Sequence, residues 1–441
     1  MTSQLTSHRP DPYVSDGTSP PTDFKPGFIG LRCRACLEPA PTGPVFVCSR
    51  CLGPLEATYD LPGLAVRIDR ATIDARPPTF WRLAELLPID AIPTRSLAVG
   101  FSPLLPAPLL AERIGLDRLW IKDDSRNPTL SFKDRVVAVA AARAVEFGFH
   151  TLACASTGNL SASVAAAAAA LGLRAVVFVP ADLEPAKVAQ AQALGASIVR
   201  VDGPYDDVNR LCLELTDELD GWAVVNVNLR PYYAEGSKTL AFEIAQQLGW
   251  RTPDVVVAPL ASGSLYTKLA RGFEELAEVG LVERAPIRYL GGQAAGCAPI
   301  ATAFADGADE WQPVYGPRTA VRSLAIGTPA DGVFALRLAR ASGGAILGVE
   351  DEATINAIRL LAETEGILTE TAGGVTLAAL RRAISEGRVA RDDEVALVIT
   401  GNGLKTLDVI NEGRALPEPI APTFDAFEHW WGEQGEREAA A

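Results

Sequence analysis

Asn127-Pro128-Thr129-Leu130-Ser131-Phe132-Lys133-Asp134-Arg135 is the stretch on which the fold turns. Before it stands Leu119-Trp120-Ile121-Lys122, an apolar run that reads as a strand. After it, Val136 to Phe147 is rich in Ala and Val with no Gly or Pro, which reads as a helix. Lys133 thus enters a helix just beyond a strand end, with Ser131 as the expected N-cap. The positive end of a helix dipole disfavours a cation there. A free amine in such a place is the group that condenses with an aldehyde. Taken alone, the stretch is also readable as a solvated Lys-Asp-Arg first turn.

Outward from this block the pattern repeats. Strands are expected at Leu119–Lys122, Thr151–Ala155, Ala175–Val179, Ser197–Val201, Ala223–Val227, Val255–Ala258, Arg288–Gly291 and Val395–Thr400. Helices are expected at Arg135–Phe147, Leu160–Leu171, Pro185–Leu194, Asp206–Leu219, Glu235–Leu248, Leu265–Leu276, Pro299–Ala305, Glu352–Glu363 and Thr376–Ser385, with a short one at Trp81–Leu86. Strands spaced by helices of this length imply right-handed crossovers and parallel sheets. The strands are apolar throughout, as expected when helices cover both faces.

Three further turns carry chemistry at predicted strand ends. Ser156-Thr157-Gly158-Asn159 opens an Ala-rich helix, where hydroxyls and backbone amides suit an anion such as a carboxylate. Ala261-Ser262-Gly263-Ser264 lets the backbone approach a phosphate. Thr400-Gly401-Asn402-Gly403 would point a hydroxyl into the same cleft. Each alone is an ordinary turn. Together, at the carboxyl ends of parallel strands, they mark a ligand site.

At the amino end, Cys33-Arg-Ala-Cys36 and Cys48-Ser-Arg-Cys51 flank a Pro/Gly-rich insert and an expected strand Val45-Phe46-Val47. Their spacing is that of a structural zinc ribbon with Cys33, Cys36, Cys48 and Cys51 as ligands. So short a segment buries little core, and metal would help it fold. The chain is 441 residues long with a formal charge of −14. That length allows two or three domains, and that charge argues against nucleic acid or anionic membrane as partners. Seven cysteines without a secretory signal point to a reducing cytoplasm. No uncharged apolar run is long enough to span a membrane.

The motifs resemble the threonine synthases of the fold type II pyridoxal-phosphate family, from the knuckles to about residue 410. Gly100-Phe-Ser-Pro-Leu104 looks like the family's Gly-x-Thr-Pro-Leu entry, and Asn127–Arg135 like its Asn-Pro-Thr-Gly-Ser-Phe-Lys-Asp-Arg block. Ser156–Asn159 looks like its Ser-Thr-Gly-Asn loop. Glu365-Gly366-Ile367 with Glu370, and Thr400 to Lys405, resemble two later segments.

The resemblance implies an α/β fold like the tryptophan synthase β chain, with two three-layer lobes of mostly parallel sheets behind the zinc-ribbon-like segment. Residues 1–28 would be a disordered tail and 29–60 the ribbon. Residues 61–135 and 226–410 would form the cofactor lobe, 136–225 a small mobile lobe, and 411–441 an extension with a short docking helix.

It further implies that Lys133 carries pyridoxal 5'-phosphate covalently and that Asn159 meets the ring hydroxyl. Ala261, Ser262, Gly263, Ser264 and Leu265 would wrap the phosphate, and Thr400 would face the ring nitrogen. Ser156 and Thr157 would hold a substrate carboxylate, with Arg230 on a leaving phosphate. The implied reaction turns O-phospho-L-homoserine and water into L-threonine and phosphate, in a homodimer.

Some residues depart from the pattern. Leu130 replaces the block's Gly, Leu160 follows Asn159, the phosphate loop is Ala-Ser-Gly-Ser, and Tyr233 takes the place of an expected Arg while Arg230 precedes Pro231. Glu370-Thr371-Ala372-Gly373-Gly374 stands where Glu-Pro is usual. They leave a second reading open, a β-replacement or β-elimination enzyme acting on phosphoserine or serine-like amino acids. A purely binding role built on the ribbon is disfavoured by the acidic charge and the intact lysine block.

Overall fold

The computed structural model describes residues 24–203, 205–411, 416 and 418–440. Most of the expected tail lies outside the described residues. Gly27, however, is already tied down: its N–H bonds Glu85 O at 3.1 Å and its carbonyl accepts from Asp60 N–H at 2.8 Å. Residues 24–28 of that expected tail are thus among the described residues.

Thirteen strands are described. β1 (Phe28–Cys33), β2 (Pro39–Ala40) and β3 (Leu55–Tyr59) form an antiparallel sheet in the order β2-β1-β3. The expected strand Val45–Val47 is not there. Only Val47 makes an isolated bridge, to Pro54. Pro41, Gly43 and Pro44 precede it, and prolines lack the donors a ladder needs.

β4 (Leu104–Pro106), β5 (Arg118–Asp123), β10 (Val255–Pro259), β11 (Arg288–Ala294), β12 (Ala345–Val349) and β13 (Glu394–Ile399) make a six-stranded sheet ordered β12-β11-β10-β13-β5-β4. Every neighbouring pair is parallel except β4 with β5. β6 (Thr151–Ala155), β7 (Arg174–Pro180), β8 (Ser197–Val201) and β9 (Trp222–Val224) make a parallel four-stranded sheet ordered β8-β7-β6-β9. β6, β10 and β13 are buried from end to end, the mark of sheets covered on both faces. Each Val, Leu or Ile so buried contributes about 1.5–3 kcal/mol.

Expected helices mostly recur within a residue or two. The expected helix Glu235–Leu248 is two, Arg230–Glu235 and Lys238–Gln247. Between them Gly236 lies so near the lysine block that a Cβ there would be 2.4 Å from Arg135 O. Pro185–Leu194 is a 3₁₀ turn, Pro185–Lys187, and a short helix, Ala189–Ala193.

Beneath the lysine block lies a closed ionic network. Arg135 reaches Asp124 with Nε at 2.6 Å and Glu243 with both Nη atoms at 2.5 and 2.7 Å, and Lys122 Nζ donates to Glu243 at 2.6 Å. A second network joins the ribbon to the body. Tyr59 Oη donates to Glu235 at 2.7 Å, Lys238 bridges Glu235 (2.6 Å) and Glu275 (2.7 Å), and Lys268 also pairs with Glu235. Residues 407–440 form a separate unit holding a helix, Phe424–Ala440, on which Phe427, Trp430 and Trp431 cluster. No helix among the described residues is long and apolar enough to cross a membrane.

Candidate active site

β10, β13 and β5 are adjacent and parallel, so the turns at their carboxyl ends share one edge of the sheet. That edge collects the phosphate-type turn 260–264, Thr400 and the lysine block. The last two are stitched together: Phe132 N–H bonds Thr400 O at 2.8 Å, Asn402 N–H bonds Leu130 O at 3.0 Å, and Ser131 pairs with Gly401. Ser131 is thereby not the helix cap. Phe132 is the cap residue of helix Lys133–Glu146, and Ser131 Oγ only accepts from Lys133 N–H at 3.3 Å.

The block is held from two more sides. Asn127 Oδ1 accepts from Gly100 N–H at 2.9 Å. Asp134 accepts from Thr129 N–H (2.7 Å), Thr129 Oγ1 (2.6 Å) and Ser163 Oγ (2.6 Å), which locks the block to helix Asn159–Leu171. Leu130 sits at φ +63, a left-handed conformation that costs an L-residue about 1–2 kcal/mol. The family's Gly at this place has no such cost.

The half-buried Lys133 amine lies 4.7 Å from the centroid of the Phe132 ring and 5.9 Å from that of Tyr233. Across the cleft, Asn159 Nδ2 donates to Glu370 Oε2 at 2.8 Å, and Thr400 Oγ1 donates to Glu370 Oε1 at 3.4 Å. Burial pushes the Glu370 carboxyl above the ordinary carboxylate range; Asn159, Lys405, Thr400 and Lys133 oppose that without offsetting it. Glu370 was legible only as part of a resembling segment, and here it joins the two polar groups expected to meet the cofactor ring.

Ser156 is buried and Thr157 half-buried at the mouth of helix Asn159–Leu171, whose cap residue Gly158 offers no side chain to its first amides. At the other turn, Gly263 adopts φ +92 and opens helix Ser264–Glu278, again with no side-chain cap and no acidic residue in the first turn. Helix geometry leaves those first amides without intrahelical acceptors. A Cβ at Gly263 would lie 3.0 Å from Asp331 O. Backbone donors, the Ser262 and Ser264 hydroxyls and a close backbone approach fit the phosphate of pyridoxal phosphate. Arg230, expected on a leaving phosphate, already has a partner: its Nη2 pairs with Asp331 Oδ2 at 3.3 Å.

The four Sγ atoms of Cys33, Cys36, Cys48 and Cys51 lie within 4.8 Å of one another. Thiolates about 2.3 Å from a tetrahedral zinc stand about 3.8 Å apart, so the set fits such an ion. Knuckle amides support it: Ala35 and Cys36 N–H point at Cys33 Sγ, and Arg50 N–H at Cys48 Sγ. Burial works against ionising Cys33, but those amides and the neighbouring thiols bring it down to about 7.

Residues 95–401 match the family model described as "Pyridoxal-phosphate dependent enzyme". The chain is 35% identical over 399 residues to the threonine synthase of Methanosarcina acetivorans, covering 90% of this chain and 97% of that one. It is 38% identical over 344 residues to the threonine synthase of Synechocystis sp., covering 77% and 86%. Among solved structures, a T.th. threonine deaminase superposes with a TM-score of 0.56 at 25% identity, covering 72% of this chain and 94% of that one. A fungal L-serine ammonia-lyase from Rhizomucor miehei superposes with a TM-score of 0.60 at 20% identity, covering 70% and 96%. With its lysine at the sheet edge and its likeness running nearly the full length of these relatives, the chain belongs to the pyridoxal-phosphate-dependent enzymes of fold type II, among the threonine synthases.

Proposed function

We propose that the chain converts O-phospho-L-homoserine and water to L-threonine and phosphate. The observation that carries this is the Lys133 amine, set near two aromatic rings beside the joined lysine and Thr400 turns, in a chain alike to threonine synthases over nearly their whole length. When bound, pyridoxal phosphate supplies an aldehyde for that amine and a ring that takes up the charge left at Cα. Ser262, Gly263, Ser264 and the first amides of helix Ser264–Glu278, with Ala261 and Leu265 beside them, would hold its phosphate. Asn159 would meet the ring hydroxyl and Thr400 the ring nitrogen.

The chain's own residues then do the following. Ser156, Thr157 and the amides of helix Asn159–Leu171 orient the substrate carboxylate. Lys133 removes protons from Cα and Cβ and, once phosphate has left, returns them at Cγ and Cα as general base and acid. Arg230 attracts the phosphate that leaves Cγ, and water adds at Cβ. Phe132 and Tyr233 keep bulk water from the amine. The four cysteines hold a structural zinc, and residues 136–225 close over the bound substrate in each half of a dimer.

A second reading, β-elimination or β-replacement on phosphoserine or serine-like amino acids, is favoured by Tyr233 standing beside Lys133. The cofactor-loaded protein should be incubated with O-phospho-L-homoserine and O-phospho-L-serine, with phosphate and amino-acid products measured. Threonine from the first substrate is expected. Phosphate release from the second alone replaces this proposal with the second reading. A Lys133→Ala variant should lose the cofactor's visible absorbance.

A further inference from the structure

The first cysteine knuckle carries an arginine that turns inward. Arg34 stands between Cys33 and Cys36, and its side chain is 15% exposed. Nη1 donates to Asp331 Oδ1 at 2.6 Å, and the guanidinium carbon lies 3.9 Å from the centroid of the Phe334 ring. Asp331 is the residue that backs the phosphate turn: its N–H bonds Ser262 O at 2.9 Å, and its carbonyl packs on Gly263. Its other oxygen takes Arg230. Arg230 shares a helix with Tyr233, three residues on and therefore on the same face. The Tyr233 ring is one of the two near the Lys133 amine, 5.9 Å away. The ribbon thus reaches the site through the Asp331 carboxylate, and through Phe46, whose ring centroid lies 5.8 Å from the Arg230 guanidinium carbon.

The charges around that carboxylate do not balance. Arg32 and Arg34 reach Glu56 at 2.9 and 3.7 Å, and Arg34 and Arg230 share Asp331. Three arginines face two carboxylates, leaving one positive charge over. The short, charge-assisted bond goes to Arg34, and the long one, 3.3 Å, to Arg230. The surplus therefore falls on Arg230, which at 26% exposure is also the less enclosed of the two. We infer that Arg34 is a positioning residue for substrate specificity: by occupying Asp331 it leaves Arg230 charged and open to an anionic, phosphoryl-type group on the substrate. This rests on the reading above that the substrate is a phosphorylated amino acid.

Without Arg34, Asp331 turns wholly to Arg230 and neutralises it. The test compares wild type, Arg34→Ala, Asp331→Asn and the double variant as holoenzymes, with cofactor absorbance and melting temperature as checks on folding. Arg34→Ala should raise KM for the phosphorylated substrate about tenfold with kcat little changed, the loss of roughly one charge-assisted contact. Inhibition by inorganic phosphate should weaken in parallel. Adding Asp331→Asn should restore both, and Asp331→Asn alone should lower KM; a merely structural role for Arg34 predicts neither.

An unchanged KM in a folded Arg34→Ala protein, or a double variant no better than the single, overturns the inference. Should Arg34→Ala fail to fold, the direction of the Asp331→Asn effect decides. Should wild type release phosphate from neither phosphoamino acid, the reading above fails by itself. Calorimetric binding of inorganic phosphate to wild type and Arg34→Ala then decides this inference, equal affinities counting against it.

Discussion

Replacing Glu243 by Gln should destabilise the protein by about 3 kcal/mol at neutral pH, by an amount that shrinks on acidification. Glu243 accepts from Lys122 Nζ at 2.6 Å, from both Nη atoms of Arg135 and from Phe101 N–H at 2.7 Å. With Asp124 it balances two cations, and none of the four side chains is more than 6% exposed. Burial alone would raise the Glu243 carboxyl, but Arg135 and Lys122 outweigh it and hold it at about 2 instead of 4.5. That difference corresponds to about 3 kcal/mol of stability. Leaving a buried charge without its partner costs about 3–5 kcal/mol, which agrees.

Because the folded state lowers this carboxyl, its contribution is full above pH 4.5 and is lost as pH falls toward 2. The gap between wild type and Glu243→Gln should narrow to about half by pH 3. Urea unfolding followed by tryptophan fluorescence at pH 7, 4 and 3 measures it. A variant within about 0.5 kcal/mol of wild type at pH 7, or a gap that stays constant with pH, refutes the reasoning.

Leu130→Gly should leave stability within about 1 kcal/mol of wild type, since relief of the left-handed backbone is offset by the freedom Gly gains on unfolding. Leu130→Val should cost at least about 1 kcal/mol more, and equal urea midpoints for Leu and Val would rule out strain at this residue. Burial raises the Glu370 carboxyl, so its stability contribution is present at low pH and lost as pH rises through the folded value. Glu370→Gln should therefore gain on wild type between pH 5 and pH 8, and a pH-independent difference in melting temperature would contradict this. Cys36→Ser should drop bound zinc from about one per chain to well below that by elemental analysis, and metal-free wild-type protein would remove the zinc assignment.

The layered fold was legible because apolar runs and helical periods alternate cleanly. Thr151–Ala155, Ser197–Val201 and Pro299–Ala305 fall where the pattern puts them. Short or interrupted elements were not legible. β12 contains Gly348, β4 has three residues ending in Pro106, and helix Pro108–Ile114 begins with a proline that reads as a breaker. Candidate site residues were legible where a chemical turn follows a strand in the chain, at once for Ser156 and Thr400, shortly after for Ser262, and ten residues on for Lys133. The partners that complete it were hidden, because those contacts cross long stretches of sequence. Arg34 meets Asp331 across 297 residues, and Asn159 meets Glu370 across 211. Nothing local to Asp331 signals that two arginines share it.

A shortened version of this enzyme, made by trimming the first 60 residues as though they were an appendix, would not be a smaller copy of the same machine. Tyr59 supplies the hydroxyl that completes the hydrogen bonding of Glu235, deep among lysines. Gly43 satisfies the Tyr232 hydroxyl as both donor and acceptor. The cut would take away the partners of these polar groups and bare a face built to be covered. Engineers seeking a minimal catalyst from this chain must either keep its cysteine-bearing cap or redesign the floor it rests on.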